Sequence, residues 1–363
     1  MRKILLAVAI LLINNSISAN DHNTPNPPPT DLKRNIILIR DQFSLRLADA
    51  ELSHGELVTN IIKGKYHPEL IPTHPELRSW EMDLKLDLSH HLNIPENPDE
   101  YYDTEPESAE ETDKTLLTWI WLNFKSSITN LFSNPEKKVR PLKRERVLKF
   151  DEEKDRVAII NQSFTHSSFV SARTHLKPFY KKAVNPPLLI TAAGNDTNHC
   201  TEEAAIINRH IGSDYQRLAA FFFGQPISNY QKYYMACPQH ALAAMDLGVN
   251  DYFINVISDL GNGTTNKPAG YLKERTVAAP YEAGGHYGTS MSTAYVTAVA
   301  NMILTRAPEM PPPEIAQIIF ITADKKGINE LNETWGHGVV NPRKAMEYMD
   351  ALGYPPLPQQ SAE

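Results

Sequence analysis

The chain has 363 residues and a formal charge of −7. Removal of Arg2 and Lys3 with a cleaved leader takes that charge to −9, which argues against general binding to nucleic acid or to an anionic membrane. The roughly 340 residues left after such a leader suffice for one large domain or two smaller ones.

Met1, Arg2 and Lys3 form a short basic start, and residues 4–13 are apolar without a break. That run is too short to span a bilayer, and polar Asn14 and Asn15 follow it directly. Ser16, Ile17, Ser18 and Ala19 offer small residues for cleavage. Residues 1–19 therefore read as an export signal. The expectation is a secreted chain, periplasmic or extracellular, with no membrane association once the signal is gone. Residues 20–33 carry Pro25, Pro27, Pro28 and Pro29 and read as a linker.

The main domain is expected over residues 34–350, with a C-terminal tail at 351–363. Residues 35–39 form a short apolar run, consistent with a buried strand. Ser53 and Glu56 have capping-box spacing, and Leu57, Ile61 and Ile62 supply a helical apolar face. Residues 65–150 are the least regular and read as an insert. Within it His67-Pro68-Glu69-Leu70 recurs as His74-Pro75-Glu76-Leu77, a pair of segments read as solvated loop. Residues 99–113 hold eight acidic side chains, residues 115–132 suggest an aromatic-rich helix, and residues 137–146 are basic. Such opposed charge runs are ordinarily exposed loops.

Regular structure resumes at Val157. Residues 157–160, 188–193 and 252–257 read as buried strands. Residues 201–209, 239–247, 313–322 and 342–349 read as helices. Residues 293–304 are apolar nearly all round with many small side chains, the pattern of a helix inside a protein. Strands alternating with helices predict an α/β fold, a doubly wound parallel sheet covered on both faces. Cys200 and Cys237 are the two cysteines. Export permits a disulfide between them, and two buried thiols remain the alternative.

Four short segments stand out chemically. Gly288-Thr289-Ser290-Met291-Ser292 directly precedes the buried helix. A serine there sits beside the positive helix N-terminus, although a hydroxyl at that place is most often a cap. His54-Gly55-Glu56-Leu57-Val58 opens a helix, Asp41 ends the first strand, and residues 189–193 run as an apolar strand into Gly194-Asn195-Asp196. The order along the chain is Asp, His, Asn, Ser.

These motifs resemble the subtilisin family of serine peptidases, whose triad runs Asp…His…Ser. Thr276-Val277-Ala278-Ala279-Pro280 is similar to the segment before the family's serine motif. Gly336-His337-Gly338-Val339-Val340-Asn341 is similar to its closing turn. The resemblance spans roughly residues 34–347 outside the insert. It implies a three-layer αβα sandwich, with Ser290 as nucleophile, His54 as base, Asp41 as orienting carboxylate and Asn195 as oxyanion donor. Asp41 lacks the family's usual following Ser/Thr-Gly and stands only thirteen positions before His54. Asp49 is its rival, and Asp41 is favoured for its place at a strand end. The resemblance places substrate as an added strand beside Ile160-Asn161-Gln162-Ser163-Phe164. Walls around the residue before the scissile bond would come from Ser163, Phe164 and Thr165 on one side and Ala192, Ala193 and Gly194 on the other. It implies a protein or peptide substrate and no cofactor for the chemistry, and it leaves a structural calcium open. Residues 20–33 are too short for the folded propeptide many secreted members carry.

Two rival readings remain. A catalytically impaired binding module would keep the fold and lose the chemistry. An α/β-hydrolase esterase would use Ser290, Asp324 and His337, but its Gly-x-Ser-x-Gly motif fails at Ser292.

Overall fold

The computed structural model describes residues 34–41, 52–71, 73, 76–81, 148–164, 169–181, 183, 186–210, 236–327 and 331–357. The leader, the proline-rich arm, Asp49, Thr165, both charge runs and the helix expected over 115–132 lie outside the described residues.

The elements follow in chain order. Strand β1 (Ile36–Asp41) leads to helix α1 (His54–Ile62), strand β2 (Glu76–Glu81) and the short helix α2 (Phe150–Glu153). Then come β3 (Val157–Gln162), α3 (Phe169–Tyr180), β4 (Leu188–Ala192), α4 (Glu202–His210) and α5 (Gln239–Asp246). The chain continues through β5 (Phe253–Asp259), β6 (Thr276–Pro280) and a small hairpin of β7 (Glu282–Ala283) and β8 (His286–Tyr287). It ends on three helices, α6 (Thr289–Arg306), α7 (Pro312–Thr322) and α8 (Pro342–Ala351).

Six strands form one parallel sheet in the order β2-β1-β3-β4-β5-β6. The expected α/β, doubly wound sheet is present, with helices on both faces. Side chains alternate across a strand, and β1 shows the division. Ile37 and Ile39 join the core built with α1, α6, α7 and α8. Ile36 and Leu38 join the opposite core with α3 and α5. Every residue of β1, β3 and β4 is buried, as expected of strands covered on both sides.

Strand β2 overturns the loop reading of Glu76 and Leu77 and gives regular structure to part of the expected insert. It pairs with β1 from Ile36 opposite Glu76 to Asp41 opposite Glu81. Its charged sequence hid it, because β2 is the outermost strand among the described residues and its charges have partners. Glu76 meets Arg78 and Arg156, and Arg78 also forks onto Glu153.

Helix α6 starts four residues earlier than the apolar pattern suggested, at Thr289, so Ser290 lies in its first turn. It is buried nearly all round. Small side chains such as Ala294, Ala298 and Ala300, each at most 2% exposed, let it lie close against the sheet. Gly336 pins the closing turn to the start of β6. It holds φ +58°, and an added Cβ would stand 2.2 Å from the Thr276 carbonyl.

Candidate active site

The C-terminal ends of the strands gather the chemically notable residues, as open α/β sheets commonly do. Asp41 is the last residue of β1 and is 1% exposed. His54 is the first residue of α1. Ser53 fixes that start, since its hydroxyl accepts from Glu56 N–H while the Glu56 carboxylate accepts from Ser53 N–H at 2.8 Å. This reciprocal cap is the one the spacing of Ser53 and Glu56 suggests. Thus the cap presents His54 to the strand end, and its Nδ1 lies 2.6 Å from Asp41 Oδ1.

Burial disfavours the charged imidazole of His54, but the Asp41 hydrogen bond and charge outweigh it, so its pKa stands above the ordinary value. Nδ1 faces the carboxylate and therefore carries a proton, which leaves Nε2 as the basic nitrogen at neutral pH.

Ser290 sits on α6, which packs against α1 through Leu57, Val58, Ile61, Met291, Ala294 and Tyr295 in one core. The two helix N-termini thus bring His54 and Ser290 to the same end of the sheet. The Ser290 hydroxyl donates to the Ser163 carbonyl at 2.6 Å rather than to His54. Its backbone N–H, in the first turn of the helix, has no acceptor among the described residues.

Asn195 lies just past β4 and is exposed. Its Oδ1 accepts from Thr289 N–H at 2.9 Å and from the Thr289 hydroxyl at 3.0 Å. A backbone N–H can only donate, so this contact assigns the amide oxygen to Thr289 and turns the NH2 group away from it. Gly288 permits the approach. At φ +136° its added Cβ would crowd both ends of the Asn195 amide at 3.3 Å. Sequence reasoning missed Thr289, although its place directly before Ser290 was visible.

The loop behind Asn195 is clamped by residues that no motif announced. Asn266 donates to the Gly194 carbonyl at 2.9 Å and accepts from Ser258 N–H. Lys267, 1% exposed, pairs with both Asp196 oxygens at 3.1 and 3.0 Å. Burial pushes the Lys267 ammonium below the usual lysine range, and Asp196 opposes that fall.

The residues expected to wall a substrate cleft fall on neighbouring strand ends. Gln162 pairs with Thr191 in register, so Ser163 and Phe164 continue from β3 beside Ala192, Ala193 and Gly194 from β4. Ser163, Ala192 and Ala193 are buried. Cys200 and Cys237 are joined in a disulfide. The residues named for an α/β-hydrolase serve elsewhere. Asp324 meets Asn341 and Lys344, while His337 stacks on Phe320 and contacts the Glu274 carbonyl. Among the described residues no cluster of His, Cys, Asp and Glu gathers to hold a metal ion, and no helix is long and apolar enough to cross a membrane.

The subtilase family model matches residues 261–338, a segment that includes Ser290 and its flanking glycines. Over that segment the chain is subtilase-like. No curated protein matches the sequence. Among solved structures, it is similar to the A-subunit of the AB5 toxin from E. coli, at 17% identity and TM-score 0.40, over 87% of this chain and 93% of that one. It is also similar to the prenylagaramide maturation protease PagA, at 14% identity and TM-score 0.38, over 87% and 94%. MycP1 from Mycobacterium smegmatis aligns at 13% identity and TM-score 0.39, over 90% and 86%. The α/β fold itself rests on the strand order and register of this chain.

Proposed function

We propose that this subtilase-like protein is a serine endopeptidase that cleaves peptide bonds through an acyl-enzyme. The contact that carries the reading is His54 Nδ1 at 2.6 Å from the buried Asp41 carboxylate. A buried carboxylate on Nδ1 fixes the tautomer and stabilises the imidazolium that forms in acyl transfer. In the first step Ser290 Oγ attacks the peptide carbonyl carbon as its proton passes to His54 Nε2. The oxyanion is received by Asn195 Nδ2 and by the N–H of Ser290, at the positive end of α6. Collapse expels the amine, which takes the proton from His54. Water then attacks the acyl-enzyme with His54 again as base, releasing the acid and restoring Ser290. Protein or peptide substrate supplies the carbonyl, lying extended beside Ser163 and Phe164 rather than the whole of residues 160–164, because residues 160–162 are already paired on both sides by β1 and β4. With residues 1–19 read as an export signal, we assign this activity to the periplasm or the outside of the cell.

One observation favours a second reading, a binding module without turnover: the Ser290 hydroxyl rests on the Ser163 carbonyl. Reaction with a fluorophosphonate separates the two. The peptidase reading expects covalent labelling of the mature protein that is lost in Ser290→Ala and His54→Ala. A folded wild type that fails to label would leave the binding module, and equal labelling of wild type and Ser290→Ala would remove Ser290 from the nucleophile role.

A further inference from the structure

Helix α6 carries threonines at 289, 293 and 297, four apart and therefore on one face. Their hydroxyls run up the helix. Thr293 donates to the Thr289 carbonyl at 2.7 Å, and Thr297 donates to the Thr293 carbonyl at 2.9 Å. At the lower end Thr289 holds Asn195 through its N–H and its hydroxyl. At the upper end Thr297 has already spent its hydrogen, so its oxygen can only accept.

Asn161 meets that need. It stands on β3, 0% exposed, in register with Ile39 and Ile190, on the face that α6 covers. Its Nδ2 donates to Thr297 Oγ1 at 2.8 Å. Its Oδ1 accepts from the Ser163 hydroxyl, also at 2.8 Å. Ser163 in turn offers its carbonyl to Ser290. The bonds close a ring from Thr289 through Thr293, Thr297, Asn161 and Ser163 to Ser290, which adjoins Thr289 in the chain, and Asn195 branches from Thr289. Both the nucleophile and the oxyanion donor hang on this ring.

From this closure we infer that Asn161 is a positioning residue for catalysis. It fixes the end of β3 against the first turns of α6, and so sets Ser290 relative to Ser163 and, through Thr289, to Asn195. The inference rests on the assignment of Ser290 as nucleophile. Asparagine suits the place because one short side chain must donate at one end and accept at the other. Aspartate cannot donate to Thr297, and an aliphatic residue does neither. Displacements of about 1 Å in such a site cost on the order of 10²-fold in rate.

The test compares fluorophosphonate labelling rates, and kcat against KM on a casein-derived peptide pool, in folded variants matched by thermal melting. Asn161→Ala is expected to lower the labelling rate and kcat by about 10- to 100-fold with KM changed far less. The acid limb of the pH profile should stay in place, because the His54–Asp41 pair lies outside the ring. Thr297→Val removes the partner while keeping the shape. It should reproduce part of the loss, and the Asn161→Ala/Thr297→Val double variant should lose less than the two single losses combined. Asn301→Ala is the control. It removes a second buried asparagine, this one on α6 and bonded to Thr73, and should label at the wild-type rate. Wild-type labelling rates in Asn161→Ala, or equal losses in Asn301→Ala, overturn the inference. If Asn161→Ala does not fold, Thr297→Val decides alone, and an unchanged rate overturns it. A folded wild type that never labels removes the nucleophile reading, and this inference falls with it.

Discussion

Asp41 gives His54 two things at once: a fixed tautomer and a raised pKa. Asp41→Asn keeps the shape but removes the charge, and it invites the imidazole to place its proton on the wrong nitrogen. On the peptidase reading, a loss of about 10⁴-fold in turnover is expected, as for the same change in a known Ser-His-Asp peptidase. The pH profile follows from the sign of the shift. Protonated His54 cannot act as base, so activity rises with pH as His54 deprotonates. With its pKa raised, that acid limb lies above about 6.5, the usual imidazole value. In Asp41→Asn, burial is left as the main influence on His54, and it favours the neutral ring. The acid limb should move to lower pH even as the maximum falls, and an unmoved limb would contradict the assignment. The linked stability has the opposite course. Protonated His54 stabilises the fold fully below its unfolded pKa, and this contribution is lost as pH rises through the raised folded value. Gly288→Ala probes the other half of the site. It places a methyl group against the Asn195 amide at a φ of +136°, where side chains are strained. Labelling should slow by about 10²-fold if the Asn195 donor is displaced, with the His54 limb unchanged.

At the level of elements, α1 is a positioning device as much as a piece of the core. Ser53→Ala removes the cap that starts it, at a cost of about 1 kcal/mol, readable as a fall in denaturant midpoint. Because His54 is the first helical residue, fraying there should also lower the labelling rate more than the stability loss alone explains. The cap was legible in the sequence because it is local chemistry: a serine, a glutamate three residues on and an apolar face. Strands β3, β4 and β5 were legible for a similar reason, since each carries a run of mostly apolar residues bounded by polar turns. Other parts of the site depend on partners far along the chain. Asn161 and Thr297 are 136 positions apart, and Asp196 and Lys267 are 71 apart, with nothing local to announce either pair. Helix α3 (Phe169–Tyr180) also went unread, since its polar and aromatic residues carry Pro178 near the end and show no clean helical stripe. The sheet itself holds a feature that patterning hides. Gln162 is 0% exposed, yet neither end of its amide meets a protein partner among the described residues. A buried amide in that state costs about 1–3 kcal/mol. Gln162→Met keeps the volume and removes the polar group, so the variant should melt higher than wild type. A lower melting temperature would mean that the amide is satisfied by another route.

Across the whole molecule, two cores share one sheet, and the site lies where their strands end. Each core contributes differently to it. The core with α1 and α6 carries His54 and Ser290, the groups that would move protons and make bonds. The opposite core, with α3 and α5, supports the ends of β3 and β4 from behind and holds the disulfide between Cys200 and Cys237. That bridge joins the segment before α4 to the segment before α5, across 37 positions. It also reaches the closing half of the chain, because Cys200 O accepts from Tyr271 N–H at 2.7 Å, close to the loop that clamps Asn195. Closing a loop of that length stabilises by about 4 kcal/mol in the chain-entropy model. Replacing both cysteines by serine should therefore lower the denaturant midpoint strongly. It should reduce labelling mainly through the unfolded fraction, since neither Asp41, His54 nor Ser290 touches the bridge. The two effects separate in a denaturant series. Normalised to the folded fraction, the double variant's labelling rate should match wild type within a few fold, and a larger loss would tie the bridge to the geometry of Asn195 itself. Reduction of the wild type with dithiothreitol should reproduce the same fall in midpoint, as expected if the bridge stabilises the whole domain.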